Sequence, residues 1–165
     1  MSLAGRYMDS VHSKYMRDAL REAERAASEG EVPVGCVIVH NNRIIGRGHN
    51  QREKLKDSTA HAEMIAITAA CETLGTWRLE ESTMYVTLEP CPMCAGAIVL
   101  SRIPTLVFAA HDPKAGACGT LYDIVRDGRL NHIVEVISGI LEYDSQSMLQ
   151  EFFQSLRNKK QSPEG

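Results

Sequence analysis

Between Val11 and Glu29 apolar residues recur every four positions, at Val11, Tyr15, Ala19, Ala23 and Ala27, with charges on the remaining positions. That spacing draws one apolar stripe along a helix, and Gly30 predicts its end. The period then changes. Residues 34–40 form a largely β-branched apolar run and 43–48 a shorter one. Asn41-Asn42 between them suits a tight hairpin, because asparagine tolerates positive φ. Asp57, Ser58 or Thr59 can N-cap a helix over about 60–73, with Gly75 just past its end. Residues 83–88 read as a strand, and 91–100 as a helix with Pro92 allowed in its first turn. Residues 105–109 are a further strand, 111–119 a glycine-containing loop and 133–138 a fifth strand. A closing helix over 145–157 carries Met148, Leu149, Phe152 and Phe153.

After the hairpin, strands alternate with helices, which implies right-handed crossovers and parallel pairing. The prediction is one α/β domain, its core about 11–157, with a mixed sheet of about five strands and helices on both faces. The length of 165 residues suits a single domain. No apolar run approaches the ~18–20 residues that span a bilayer, so no membrane is expected among the partners.

Composition changes the functional picture. Lys plus Arg is 18 against 21 Asp plus Glu, a formal charge of −3, and aromatic residues are 5%. Neither a polycation wrapped on nucleic acid nor a broad base-stacking platform fits those numbers. The five cysteines are odd in number and irregular in spacing, which argues against a disulfide framework. With no apolar leader near the N-terminus, a reducing cytoplasm is the expected compartment.

The candidate chemistry sits in two short stretches, His61-Ala62-Glu63 and Pro90-Cys91-Pro92-Met93-Cys94. A Cys-x-x-Cys pair alone could be a redox couple or half of a structural zinc site. The redox reading leaves the upstream His-Ala-Glu unexplained, and a structural zinc site lacks a second cysteine pair. Cys36 and Cys71 lie on apolar faces as core thiols, and Cys118 is a loop thiol. One histidine and two cysteines instead supply three ligands, which leaves the fourth tetrahedral position of Zn2+ open for water, as catalytic sites do. Both stretches open predicted helices, whose N-terminal partial positive charge favours thiolates. Glu63 lies two residues from the histidine, is not needed as a ligand, and is the candidate general base.

His-x-Glu followed by Pro-Cys-x-x-Cys is the signature of the zinc nucleobase deaminases. At finer grain, residues 31–35 (Glu-Val-Pro-Val-Gly), 59–63 (Thr-Ala-His-Ala-Glu) and 86–97 resemble the bacterial tRNA-specific adenosine deaminases. So do Asp112-Pro-Lys-Ala-Gly, Leu130-Asn-His132, Glu135-Val136 and Phe152-Phe153. The resemblance runs from about Tyr15 to Arg157. It implies a three-layer α/β/α sandwich of the cytidine deaminase-like type, a homodimer, and conversion of a tRNA wobble adenosine to inosine. It assigns one zinc to His61, Cys91 and Cys94 and proton transfer to Glu63. Substrate contacts fall to the Ala62 backbone, Asn50, Asp112, Lys114, Asn131, Phe153 and Arg157, around a tRNA anticodon stem-loop. Arg43, Arg47, Arg52, Lys54 and Lys56, with Lys159 and Lys160, are candidate phosphate contacts. His111 is a departure, since a permanently charged arginine there would serve phosphate better. Two alternatives stand beside this reading: a deaminase of a free base, nucleoside or nucleotide on the same fold, and a non-catalytic zinc module.

Overall fold

A computed structural model describes residues 2–161. Helix α1 (Leu3–Ser28) leads into the hairpin of β1 (Gly35–His40) and β2 (Arg43–His49). A four-residue α2 (Arg52–Leu55) and α3 (Ala62–Leu74) precede β3 (Ser82–Leu88). Then come α4 (Pro92–Leu100), β4 (Thr105–Ala110), β5 (Glu135–Ser138) and α5 (Glu142–Gln161). The five strands form one sheet in the order β2-β1-β3-β4-β5. β1 is antiparallel to β2 and β3, while β3, β4 and β5 run parallel. The predicted mixed sheet is therefore present, with the expected parallel half. Asn41 and Asn42 turn the hairpin at φ 47° and 58°, the positive values anticipated from their identity.

Strand alternation builds two cores. Cys36, Ile38, Met84, Val86, Leu106 and Phe108 face α3 and α4, together with Ala62, Ala66, Ala70, Ala95 and Ile98. Val37, Val39, Tyr85, Val107 and Ala109 face α1, with Tyr15, Met16 and Ala19, while Ile140 and Leu141 at the approach to α5 pack on this second cluster. The result is an α/β/α sandwich. Close approach on the α3 side depends on glycine: a Cβ on Gly46 or Gly48 of β2 would overlap the carbonyl of Ala66 or Ala62 in α3.

Several boundaries differ from the sequence reading. α1 begins eight residues earlier than predicted, capped by Ser2, whose Oγ accepts from the Gly5 amide at 3.1 Å. α3 begins at Ala62 with His61 as its N-cap residue, and no side chain caps it. Asp57 instead closes a local turn, accepting from the Thr59 amide (2.8 Å) and hydroxyl (2.7 Å). The sheet order and register collect the C-terminal ends of β2, β3 and β4, the start of β1 and the N-termini of α3 and α4 at one end of the molecule.

Candidate active site

β3 ends at Leu88, and Glu89-Pro90 carry the chain past the end of this central strand to Cys91, the N-cap residue of α4. His61 holds the same position on α3. Both backbones are extended (φ −78°, ψ 152° and φ −73°, ψ 174°), and neither side chain caps its own helix. The ring and the thiol are thus free to meet between two helix N-termini. His61 Nδ1 lies 3.6 Å from Cys91 Sγ and 3.6 Å from Cys94 Sγ, and the three ligand atoms fall within 4.8 Å of one another. A tetrahedral zinc with ordinary Zn–N and Zn–S bonds has an N···S edge of about 3.6 Å, so the cluster fits that metal. It is the metal-capable group found among the described residues. Three donors leave a coordination position for water.

The electrostatics suit the same use. The Cys91 thiol is drawn down to about 4 by the hydrogen bond from Cys94, with a further contribution from His61. His61 is raised from its ordinary value chiefly by its bond to Cys91. Glu63 is 4% exposed, and burial pushes its carboxyl up to about 6 against the opposing pull of His61. The cluster therefore holds an ionised sulfur ready for a cation, beside a carboxyl that water barely reaches.

Above the cluster is a cavity of about 210 Å3, lined by Val32, Val34, Asn50, Arg52, His61, Ala62, Glu63, Leu88, Glu89, Cys91, Asp112 and Ala115. It is smaller than the ~300–1,000 Å3 of sites for drug-sized ligands, a size for one flat ring rather than a whole nucleotide. Asn50 lies on its wall, with Nδ2 donating to the Val32 carbonyl (3.3 Å) and Oδ1 accepting from the Arg52 amide (3.3 Å). A carboxamide has two donors and two acceptor positions, so each end retains capacity for a bound ring. Ala62 stands in the first turn of α3, where backbone N–H groups have no partner within the helix. Asp112 Oδ1 accepts from the amides of Lys114 (2.9 Å) and Ala115 (3.2 Å), which shapes its loop.

Lys114, Phe153 and Arg157 share a second, more open groove of about 490 Å3 with Leu149, Gln150 and Gln154. The loop after β4 contributes Asp112 and Ala115 to the first cavity and Lys114 to the second, so the two are neighbours. Phe152 is half-buried, whereas Phe153 is 42% exposed, their rings edge to face at 5.6 Å.

Other residues fall elsewhere. Asn131 is exposed and lines neither cavity. It precedes His132, whose Nε2 meets the Ile103 carbonyl (2.7 Å) ahead of β4, at the sheet end away from the metal ligands. The basic cluster is not one patch. Arg43 follows the hairpin turn at that far end, Arg47 lies 3.9 Å from Glu22 and Lys54 3.4 Å from Glu29, while Arg52 lines the cavity. Cys118 lies in the loop after β4, as expected, but is only 2% exposed, with its thiol pushed up by burial. Glu31 and Glu89 are buried carboxylates that the sequence reading quoted only inside longer motifs, without a role. Glu31 accepts from the amides of Glu53 (3.2 Å) and Lys54 (2.7 Å) and so holds α2. Glu89 holds the loop after β4. Each partner lies 22 to 31 residues away, so no local pattern signals them.

Comparison with known proteins accounts for this arrangement. Residues 9–110 match the family model for the cytidine and deoxycytidylate deaminase zinc-binding region. A tRNA-specific adenosine deaminase from Bacillus subtilis (strain 168) is 55% identical over 148 residues, 90% of this chain and 92% of the relative. The Aquifex aeolicus (strain VF5) protein of the same name is 49% identical over 144 residues, 87% of this chain and 95% of its own. A solved structure from work on A-to-I editing by tRNA:A34 deaminases superposes with a TM-score of 0.79 at 43% identity, covering 82% of this chain and 99% of that one. The metal of the centre is zinc, the enzyme is a deaminase, and similarity of this depth along almost the whole chain makes it a member of the tRNA-specific adenosine deaminase family.

Proposed function

We propose that this enzyme converts the adenosine at the wobble position of a tRNA anticodon to inosine, releasing ammonia. The observation that carries the reading is the pairing of a ring-sized cavity over the metal ligands with an adjoining groove bearing two cations and an exposed phenylalanine. A free base would use the cavity alone. A polynucleotide loop needs somewhere to lay its flanking nucleotides, and stacking on an aromatic with cations at the backbone is how single strands are held. An anticodon loop already presents unstacked bases, so little is spent on extruding the target.

His61, Cys91 and Cys94 hold the zinc, which when bound makes water a potent nucleophile by lowering its pKa from about 15.7 toward ~7. Glu63 takes a proton from the attacking water and delivers it to purine N1. It returns a second proton to the departing amine, so the C6–N6 bond breaks as a C6–O bond replaces it. Asn50 and the Ala62 N–H orient the purine, and Val32, Val34 and Leu88 give its ring apolar walls. Arg52, Lys114 and Arg157 face the backbone and Phe153 a flanking base. Substituting Phe153 and Arg157 together by Ala tests the reading. The expected result is a raised KM for an anticodon stem-loop with zinc content unchanged, and an unaltered KM would contradict it.

A second copy of the chain completes the assembly. α4 is apolar on every side, yet Met93, Gly96 and Ala97 are only partly covered and Leu100 is 70% exposed. Nothing lies within 4 Å of where a Gly96 Cβ would be. A helix apolar all round is normally buried, and a homodimer formed on this face would bury it. The cytoplasm suits five unpaired thiols.

A further inference from the structure

Glu89 is a buried carboxylate beside the cavity to which the chemistry gives no task. Its side chain is wholly inaccessible. Oε1 accepts from the Asp112 amide (3.2 Å) and the Thr120 hydroxyl, and Oε2 from the amides of Cys118 (3.1 Å) and Thr120 (3.1 Å). A carboxylate has about four lone-pair positions, so all are in use and none is left for a substrate or a travelling proton. His111 Nδ1 stands 3.4 Å from Oε1. Gly116 is required by the same arrangement, since a Cβ there would overlap the Glu89 carboxylate.

The donors belong to one segment, the loop from Asp112 to Thr120. That loop places Asp112 and Ala115 at the cavity and Lys114 in the adjoining groove. Besides the turn closed by Asp112 Oδ1 and the long Cys118 thiol contact to Pro90 (4.0 Å), the loop has two backbone ties near the site, the Ala117 amide to the Pro90 carbonyl (2.9 Å) and the Gly116 amide to the Asp112 carbonyl (3.0 Å). Neither fixes the loop's two ends against the strand that leads to the metal ligands, as Glu89 does. We propose that Glu89 is a positioning residue that holds this loop in register with the cavity, and so controls binding of the RNA rather than the deamination step. The inference rests on the proposed RNA substrate for its kinetic consequence, though not for its structural one.

Glu89→Gln, in zinc-loaded enzyme, tests it. The amide keeps the shape but turns an NH2 toward two N–H or O–H donors, which releases one side of the loop. The expected result is unchanged zinc content, kcat on an anticodon stem-loop within about threefold of wild type, and KM raised roughly ten- to a hundredfold. Amide hydrogen exchange over residues 112–120 should accelerate while that of α3 and α4 does not. Thr120→Val removes a single donor and should give a smaller change of the same kind, which keeps the test available if Glu89→Gln folds poorly. An unchanged KM, or a fall in kcat and zinc content without a KM effect, would overturn the proposal. If the wild-type enzyme leaves the stem-loop intact, the RNA reading fails instead. Hydrogen exchange then decides the positioning role: unaltered exchange in both variants overturns it.

Discussion

At Glu63 burial and charge pull in opposite directions. Burial raises the carboxyl, His61 lowers it, and the group sits 4% exposed over a metal cluster that does not need it as a ligand. Glu63→Gln should therefore leave zinc bound and lower kcat by about 10²–10⁴-fold, the usual share of general acid–base catalysis. Metal analysis beside a rate assay checks both halves. Cys91→Ala should instead lose zinc and activity together. Another buried titratable residue bears on stability. His12 Nδ1 meets Tyr85 Oη at 3.0 Å, and burial holds the imidazole below its ordinary value despite Asp9 and Glu135. The unfolded chain takes up a proton as pH drops through about 6.5, while the folded chain resists it. His12 thus adds no penalty above about pH 6.5, and stability falls as pH drops toward its folded value. Urea unfolding from pH 7.5 to 5.5 should show a shallower decline in His12→Phe than in wild type; equal slopes would count against this.

Among the elements, the contact between α3 and β2 governs the site most directly, because α3 carries His61, Ala62 and Glu63 at its start. Gly48→Ala would press a methyl on the Ala62 carbonyl and push that helix end outward. We expect a loss of about 1–3 kcal/mol, or a Tm lower by about 2–12 °C, together with weaker zinc retention. Calorimetry with and without a chelator measures both. Some of this was legible in the sequence and some was not. Periodicity located the buried stripes, so Tyr15, Ala19 and the strand alternations read correctly. The first two turns of α1 and the last of α5 are exposed almost all round and leave no such stripe. Asn41-Asn42 and Gly75 were legible because their backbone preference is local. The start of α3 was not. A capping-type Asp57 stands where a cap was expected, but His61 must be extended to reach the two sulfurs. α2 was invisible for a related reason, since Glu31, 22 and 23 residues away, supplies the bonds that hold it. The metal-capable group was readable because its chemistry dictates residue type, and the same short stretch put Glu63 beside it. Asn131 lies at the sheet's other end from the metal ligands.

For the whole molecule, a net charge of −3 first argued against nucleic acid. The proposed contact needs little charge, because it is confined to Arg52, Lys114 and Arg157 around two adjoining cavities. Three single-strand phosphate contacts give a salt slope near −2, so raising salt from 50 to 200 mM should weaken stem-loop binding roughly fifteen-fold. A free-base enzyme would show almost no such dependence. The uncovered α4 face predicts a solution mass of about twice 18.3 kDa by light scattering. Substituting a charged residue for Leu100 should shift the enzyme toward the single chain. The most direct measurement is nucleoside analysis by mass spectrometry after the zinc-loaded enzyme has acted on an anticodon stem-loop with adenosine at the wobble position. Free guanine and cytidine are assayed alongside. One inosine per stem-loop is expected, at that position, with no ammonia from the small molecules. Ammonia from a free base or nucleoside, with the stem-loop unchanged, would contradict it.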